Sequence, residues 1–82
     1  ILKKYKANLN GKNKYGKTPL ILAIERKNKF MINFLISLGC DINLKDVNGK
    51  PTLFYAIETF DIEIIKIFLL NKNINIFLFF IT

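Results

Sequence analysis

Two carboxylates spaced 33 residues apart, Glu25 and Glu58, and one cysteine, Cys40, are the side chains best suited to chemistry. Paired carboxylates are the acid–base machinery of glycoside hydrolysis, and a thiolate can act as a nucleophile. The composition argues against both. There is no histidine, which removes imidazole bases, histidine triads and histidine metal sites. Cys40 has no neighbouring base in sequence to lower its pKa, so it reads as a small structural residue. Asp46-Val47-Asn48-Gly49 opens like a calcium loop but lacks the later glutamate and the remaining ligands. Gly16 and Gly49 stand singly and form no phosphate loop. No catalytic residue, metal site or cofactor is expected.

The glutamates have a simpler explanation, because everything around them is duplicated. Asn13 to Glu25 aligns with Asp46 to Glu58, and Gly16/Gly49, Leu20/Leu53, Ala23/Ala56, Ile24/Ile57 and Glu25/Glu58 all share the 33-residue offset. Ala7-Asn8-Leu9-Asn10 lies at that same offset before Cys40-Asp41-Ile42-Asn43. A period of this length marks a stacked repeat. Each glycine sits among polar residues before an apolar run, where a tight turn needs positive φ. Thr18 can cap the helix that Pro19 starts, and Leu20, Ala23 and Ile24 fall on one helical face. That helix is expected to stop near Lys27-Asn28. Phe30, Met31, Phe34, Leu35 and Leu38 predict a second helix, closed by Gly39. The second unit repeats the plan, with Leu53, Ala56, Ile57 and Phe60 on one helix and Ile64, Ile65, Ile67, Phe68 and Leu69 on the next. Such short pairs cannot bury their apolar faces alone, so neighbouring pairs must stack.

The pattern resembles the ankyrin repeat. Gly16-Lys17-Thr18-Pro19-Leu20, then Ala23, then Phe34-Leu35-Ile36 and the exit Gly39-Cys40-Asp41-Ile42-Asn43 carry the likeness. The resemblance implies an all-α solenoid of antiparallel helix pairs joined by β-turn or hairpin loops. Residues 1–12 read as the tail of a preceding repeat, 13–45 and 46–76 as repeats, and 77–82 as an apolar extension or truncated segment. An initial Ile1 in place of methionine suggests a stretch of a longer chain. Ile21 and Phe54 stand where the family usually has histidine. Pro51-Thr52 inverts the Thr-Pro order, which is expected to shift that helix start by about one residue. The second exit, Asn71 to Ile76, has no glycine; Asn73 is the candidate for the left-handed role, one residue late, as if a residue were inserted near Leu70. Phe77 to Thr82 carries no charge and is expected to pack back over the last helix pair.

Function follows from resemblance and charge. The likeness implies a concave, non-catalytic surface that binds another protein through turn tips and first helices. Carried over by position, the contact residues are Lys12, Lys14, Tyr15 and Lys17, then Lys45, Val47, Asn48 and Lys50, with Glu25, Arg26, Glu58 and Thr59 on the helices. Nine of the thirteen positive side chains lie within the first 29 residues, against the single carboxylate Glu25. A basic tip row with Tyr15 as anchor fits an acidic partner. Nucleic acid or another polyanion is the alternative; it is weaker because arginine is nearly absent and only Tyr5 and Tyr15 accompany the lysines. A structural spacer within a longer array is the third reading. Ile62–Ile81 holds too many polar residues for a membrane span. The lone cysteine favours a reducing, intracellular compartment.

The register itself is testable. Ala23→Asp or Ala56→Asp buries a charge between helices and is expected to cost about 3 kcal/mol or more, abolishing the cooperative thermal melt. A mutant that melts with the parent contradicts the alignment.

Overall fold

Thr18 opens the first helix as the sequence suggests. Its backbone is extended (φ −86°, ψ 166°), Pro19 follows in the first turn, and its Oγ1 accepts the Ile21 N–H at 3.2 Å. The computed structural model describes residues 9–75; Asn8 and the residues before it, and Phe77–Thr82 with its expected packing, lie outside them. Four helices follow in order: α1 (Pro19–Glu25), α2 (Lys29–Ser37), α3 (Thr52–Glu58) and α4 (Ile62–Leu69). α1 packs against α2 and α3, and α3 against α4. The chain is thus all-α, two antiparallel pairs stacked side by side through their first helices.

Both pairs reverse direction through a left-handed residue, Lys27 (φ 54°) in one and Phe60 (φ 56°) in the other. Asn28 and Asp61 then cap α2 and α4, accepting the N–H of Met31 at 3.1 Å and of Glu63 at 3.0 Å. Phe60 therefore leaves the face of α3 to which its spacing assigned it. It sits in the turn and is 92% exposed, because the seven-residue helix ends at Glu58. Gly39 (φ 90°) closes α2. The N–H groups of Gly39 and Cys40 return to the carbonyls of Ile36 (3.0 Å) and Leu35 (3.3 Å), which satisfies the helix end.

The inverted Pro51-Thr52 does not shift α3. The helix begins at Thr52, 33 residues after Pro19. Pro51 takes the extended conformation that Thr18 has in the first unit, without its side-chain bond. Thr52 compensates differently: its N–H and its hydroxyl both donate to the Leu44 carbonyl, at 3.0 and 2.8 Å. A threonine at the cap position or one residue after it can therefore hold the helix start.

The core consists of Leu20, Ile21, Ala23 and Ile24 from α1, Ile32 and Leu35 from α2, Leu53, Tyr55 and Ala56 from α3, and Ile64 and Phe68 from α4. Here α2 departs from expectation. Ile32 is its fully buried residue, whereas Phe30 and Phe34 stand exposed, their rings stacked at 6.2 Å. Phe30 and Phe34 share an i, i+4 ridge of their own, rotated away from the Ile32–Leu35 stripe that meets α1. On α4 the core positions are Ile64 and Phe68, and Leu69 is exposed.

The turns stack as well as the helices. Asn13 and Asp46 head identical turns, closed by Gly16 N–H to Asn13 O (2.9 Å) and Gly49 N–H to Asp46 O (3.0 Å). Val47 N–H then donates to Tyr15 O at 3.2 Å, joining tip to tip. At the exits, Asn10 Oδ1 accepts the Asp41 N–H (2.9 Å) and Asn43 Oδ1 accepts the Asn75 N–H (2.8 Å). The asparagines are 33 residues apart but their donors are 34 apart, consistent with the inserted residue. Asn73 does not adopt positive φ. In place of a left-handed closure, Asn71 folds the exit by accepting the N–H of Asn73 on its side chain (2.8 Å) and of Ile74 on its carbonyl (3.1 Å).

Gly16 and Gly49 have the same backbone (φ 77° and 81°) and different surroundings. A Cβ on Gly16 would lie 2.3 Å from Val47 N, while one on Gly49 would meet nothing within 4 Å. Gly49→Ala should cost about 1 kcal/mol from backbone strain alone. Gly16→Ala should cost at least about twice that by prising the tips apart. Thermal denaturation of the two variants compares them; equal losses would mean the tips do not stack.

Candidate interaction surface

Asn13 and Asp46 each organise a tip by accepting two backbone N–H groups on one side-chain oxygen. Asn13 Oδ1 takes Tyr15 (2.9 Å) and Lys17 (3.0 Å); Asp46 Oδ1 takes Asn48 and Lys50, both at 2.9 Å. The turns thereby aim Lys17 and Lys50 along the first helices. Lys17 Nζ reaches Glu25 at the end of α1 (2.8 Å), and Lys50 Nζ reaches Glu58 at the end of α3 (2.5 Å). Four of the twelve residues assigned by position thus form two equivalent ion pairs.

Between them lies Tyr55. Lys50 Nζ is 4.3 Å and Lys17 Nζ 5.9 Å from the centre of its ring, close enough for cation–π attraction. Its hydroxyl donates to Asp46 Oδ2 at 2.5 Å. Burial, then the Asp46 carboxylate, raises the Tyr55 phenol above its ordinary value. For Asp46, burial pushes upward but is outweighed by the hydrogen bonds from Tyr55, Lys50 and Asn48 and by the Lys50 charge, so its pKa is lowered. Tyr55 was not among the positions assigned from sequence. The signal was present in the repeat: Tyr55 replaces Leu22, and Asp46 replaces Asn13, at the shared offset. Phenol and carboxylate stand together in this unit, and each satisfies the other.

The remaining positions divide by role. Tyr15 is 55% exposed at the tip, with Lys14 Nζ at 5.2 Å and Lys17 Nζ at 6.0 Å from its ring. Val47 and Asn48 are exposed on the second tip. Lys12, Lys14, Arg26 and Lys27 are exposed and form no ion pair among the described residues. Lys45 is half-buried, its backbone in an antiparallel bridge with Pro51. Thr59 is bound into the turn after α3: its hydroxyl donates to Ala56 O (2.7 Å) and accepts from Asp61 N (3.1 Å). An open hollow of about 310 Å³ is lined by Glu25, Lys27, Lys50, Tyr55, Glu58 and Thr59.

Elsewhere, Lys29 links the two pairs by binding Asp61 (3.3 Å) and Glu63. Cys40 is buried, and burial, with a smaller contribution from Asp41, pushes its thiol up to about 11. It is therefore a neutral thiol at physiological pH, the opposite of an activated nucleophile. Among the described residues no cluster of three or more acidic or cysteine side chains could hold a metal ion, and no helix is long and apolar enough to cross a membrane.

Residues 1–78 match the family described as ankyrin repeats, in three copies. A fowlpox virus ankyrin repeat protein is 37% identical over 76 residues, 92% of this chain and 11% of the viral protein. A second one from that virus is 44% identical over 52 residues, 63% of this chain and 28% of its own length. The human transient receptor potential cation channel subfamily A member 1 is 32% identical over 62 residues, 76% of this chain and 6% of the channel. The chain thus spans only a small part of the relatives it matches.

The Tyr55–Asp46 contact has a measurable signature. Tyr55→Phe keeps the ring and loses a hydrogen bond to a charged acceptor, an expected cost of about 1–2 kcal/mol. Because the folded pKa of Asp46 is lowered, its contribution is complete above the unfolded carboxylate value and is lost as pH falls through the folded one. Thermal melts between pH 7 and pH 2 should show a shallower acid limb for Tyr55→Phe than for the parent. Parallel acid limbs would show that Tyr55 does not hold Asp46 ionised.

Proposed function

The chain belongs to the ankyrin-repeat family, whose repeats are non-catalytic modules of protein–protein interaction, and we propose that its tips and the ends of α1 and α3 bind a carboxylate-rich protein partner. The observation that carries this reading is an imbalance of engagement. Glu25, Asp46 and Glu58 already have internal cationic or hydrogen-bonding partners. Lys12, Lys14, Arg26 and Lys27 are exposed around Tyr15 and the end of α1, with no ion pair among the described residues. An approaching acidic segment therefore meets uncompensated positive charge, which speeds encounter and fixes register, while Tyr15 supplies apolar area near it.

The units we assign are 13–45 and 46–76, with 1–12 completing a preceding one. Two units offer a small face, so neighbouring repeats of the longer protein would add area toward that of a stable interface. The polyanion alternative has less support. Tyr55 is buried, which among the described residues leaves Tyr15 as the exposed tyrosine near these cations, and Arg26 is the one arginine of the chain. Stacking on bases and bidentate phosphate recognition both need more.

Fluorescence anisotropy with a labelled hexaglutamate peptide tests the reading, alongside a DNA oligonucleotide of equal charge. Lys14→Glu/Arg26→Glu/Lys27→Glu is expected to weaken peptide binding about tenfold with unchanged helicity. Preferential binding to DNA, falling steeply with salt, would favour the polyanion reading. No peptide binding at all would remove the acidic partner.

A further inference from the structure

We infer that Glu25 and Glu58 are built-in competitors for the partner's carboxylates, so that Lys17 and Lys50 are taken by a run of clustered acidic residues and not by an isolated one. The inference rests on the acidic-partner reading above and specifies how that site selects. Lys17 and Lys50 flank one phenol ring, at 5.9 and 4.3 Å from its centre. They are the two cations that the tips aim along the first helices, and each already holds a carboxylate. An incoming carboxylate meets a cation already neutralised by its glutamate, and must either displace that glutamate or share the ammonium against the repulsion between two carboxylates.

The pairs are arranged for such exchange. The glutamate side chains are the more exposed partners, 37% and 57% accessible against 27% and 32% for the lysines. Each glutamate uses one oxygen for its lysine, and both line the same hollow beside Lys27. The ammoniums are held from several sides, Lys50 by its glutamate and the Tyr55 ring and Lys17 by its glutamate with both tyrosine rings near. The glutamates are therefore the parts that can swing out, while the cations stay placed. Exposed pairs of this kind are weak and screened by salt. One carboxylate arriving alone at Lys17 or Lys50 gains little, because it breaks an equal pair or shares the ammonium with a like charge. A run of them displaces both glutamates at once and also meets Lys14, Arg26 and Lys27, and the later contacts form at the high effective concentration created by the first.

Glu25→Gln/Glu58→Gln removes the competitors and keeps side-chain shape. It should bind hexaglutamate about two- to twentyfold tighter than the parent, and should also bind a Gly/Ser peptide carrying a single glutamate more tightly than the parent does. Asp41→Asn/Glu63→Gln makes the same change in net charge at other sites and should shift affinity much less. Circular dichroism confirms equal helicity. Equal tightening by both double variants, or unchanged affinity in Glu25→Gln/Glu58→Gln, overturns the inference. If parent binding is weakened by Lys14→Glu/Arg26→Glu/Lys27→Glu while removing the glutamates has no effect, only the competition falls. If hexaglutamate binds none of the proteins, the acidic-partner reading falls and takes the competition with it.

Discussion

Every feature of the molecule depends on the contact between α1 and α3. Helices of seven residues span about 10 Å and are far too short to persist in water alone. They survive because the two helices pack together and feed one core, with Leu20, Ile21 and Ile24 from one and Leu53 and Ala56 from the other. Neither pair has a core of its own that would stand without its neighbour. The charged face is built on that contact, since it brings the ends of α1 and α3, and hence Glu25 and Glu58, into one hollow. Without stacking there would be two unrelated ion pairs on two unstable hairpins.

Electrostatics at this face runs as a chain of contacts. Asp46, partly buried, is fixed by backbone N–H groups and by Tyr55. The two ammoniums lie near the buried phenol ring, each with its more exposed glutamate. Each link depends on the one before: the Asp46-headed turn positions Lys50, and the ring held by Asp46 gives both lysines a common support. Among the described residues, the cations of the first third are split between those already paired, Lys17 and Lys29, and those left open to solvent, Lys12, Lys14, Arg26 and Lys27.

The architecture was legible in the sequence because the repeat is dense in residues with a single backbone role. Thr18, Pro19, Gly16 and Gly39 each specify a local geometry, and the offset repeats it. Less was legible where tertiary contact decides. Phe60 matches the helical spacing but falls in the turn because α3 stops at Glu58. Phe30 and Phe34 are apolar enough for the core, yet Ile32 takes the buried position because α2 meets α1 along another stripe. The inverted Pro51-Thr52 suggested a shifted start, and a bond to the Leu44 carbonyl, invisible in a linear pattern, kept it in place. At the surface, residue types were legible but pairings were not. Lys17 and Lys50 read as free cations until the fold brought glutamates to them, and Tyr55 went unnoticed because its ring lies across from a lysine of the other unit.

The asparagine bridges at the exits lead to a different kind of consequence. Asn10 and Asn43 each grip the next exit by a backbone N–H, one at Asp41 and the other at Asn75, although the intervening chain differs by a residue. The spacing of successive exits is measured by a side-chain amide, and the number of residues between them is secondary. Insertions and deletions on this edge can therefore be absorbed as slack in a loop, as Asn71 does by folding the surplus into a turn. The array has a ruler on one side and an elastic margin on the other, so lineages can drift in repeat length there while the helices remain in step.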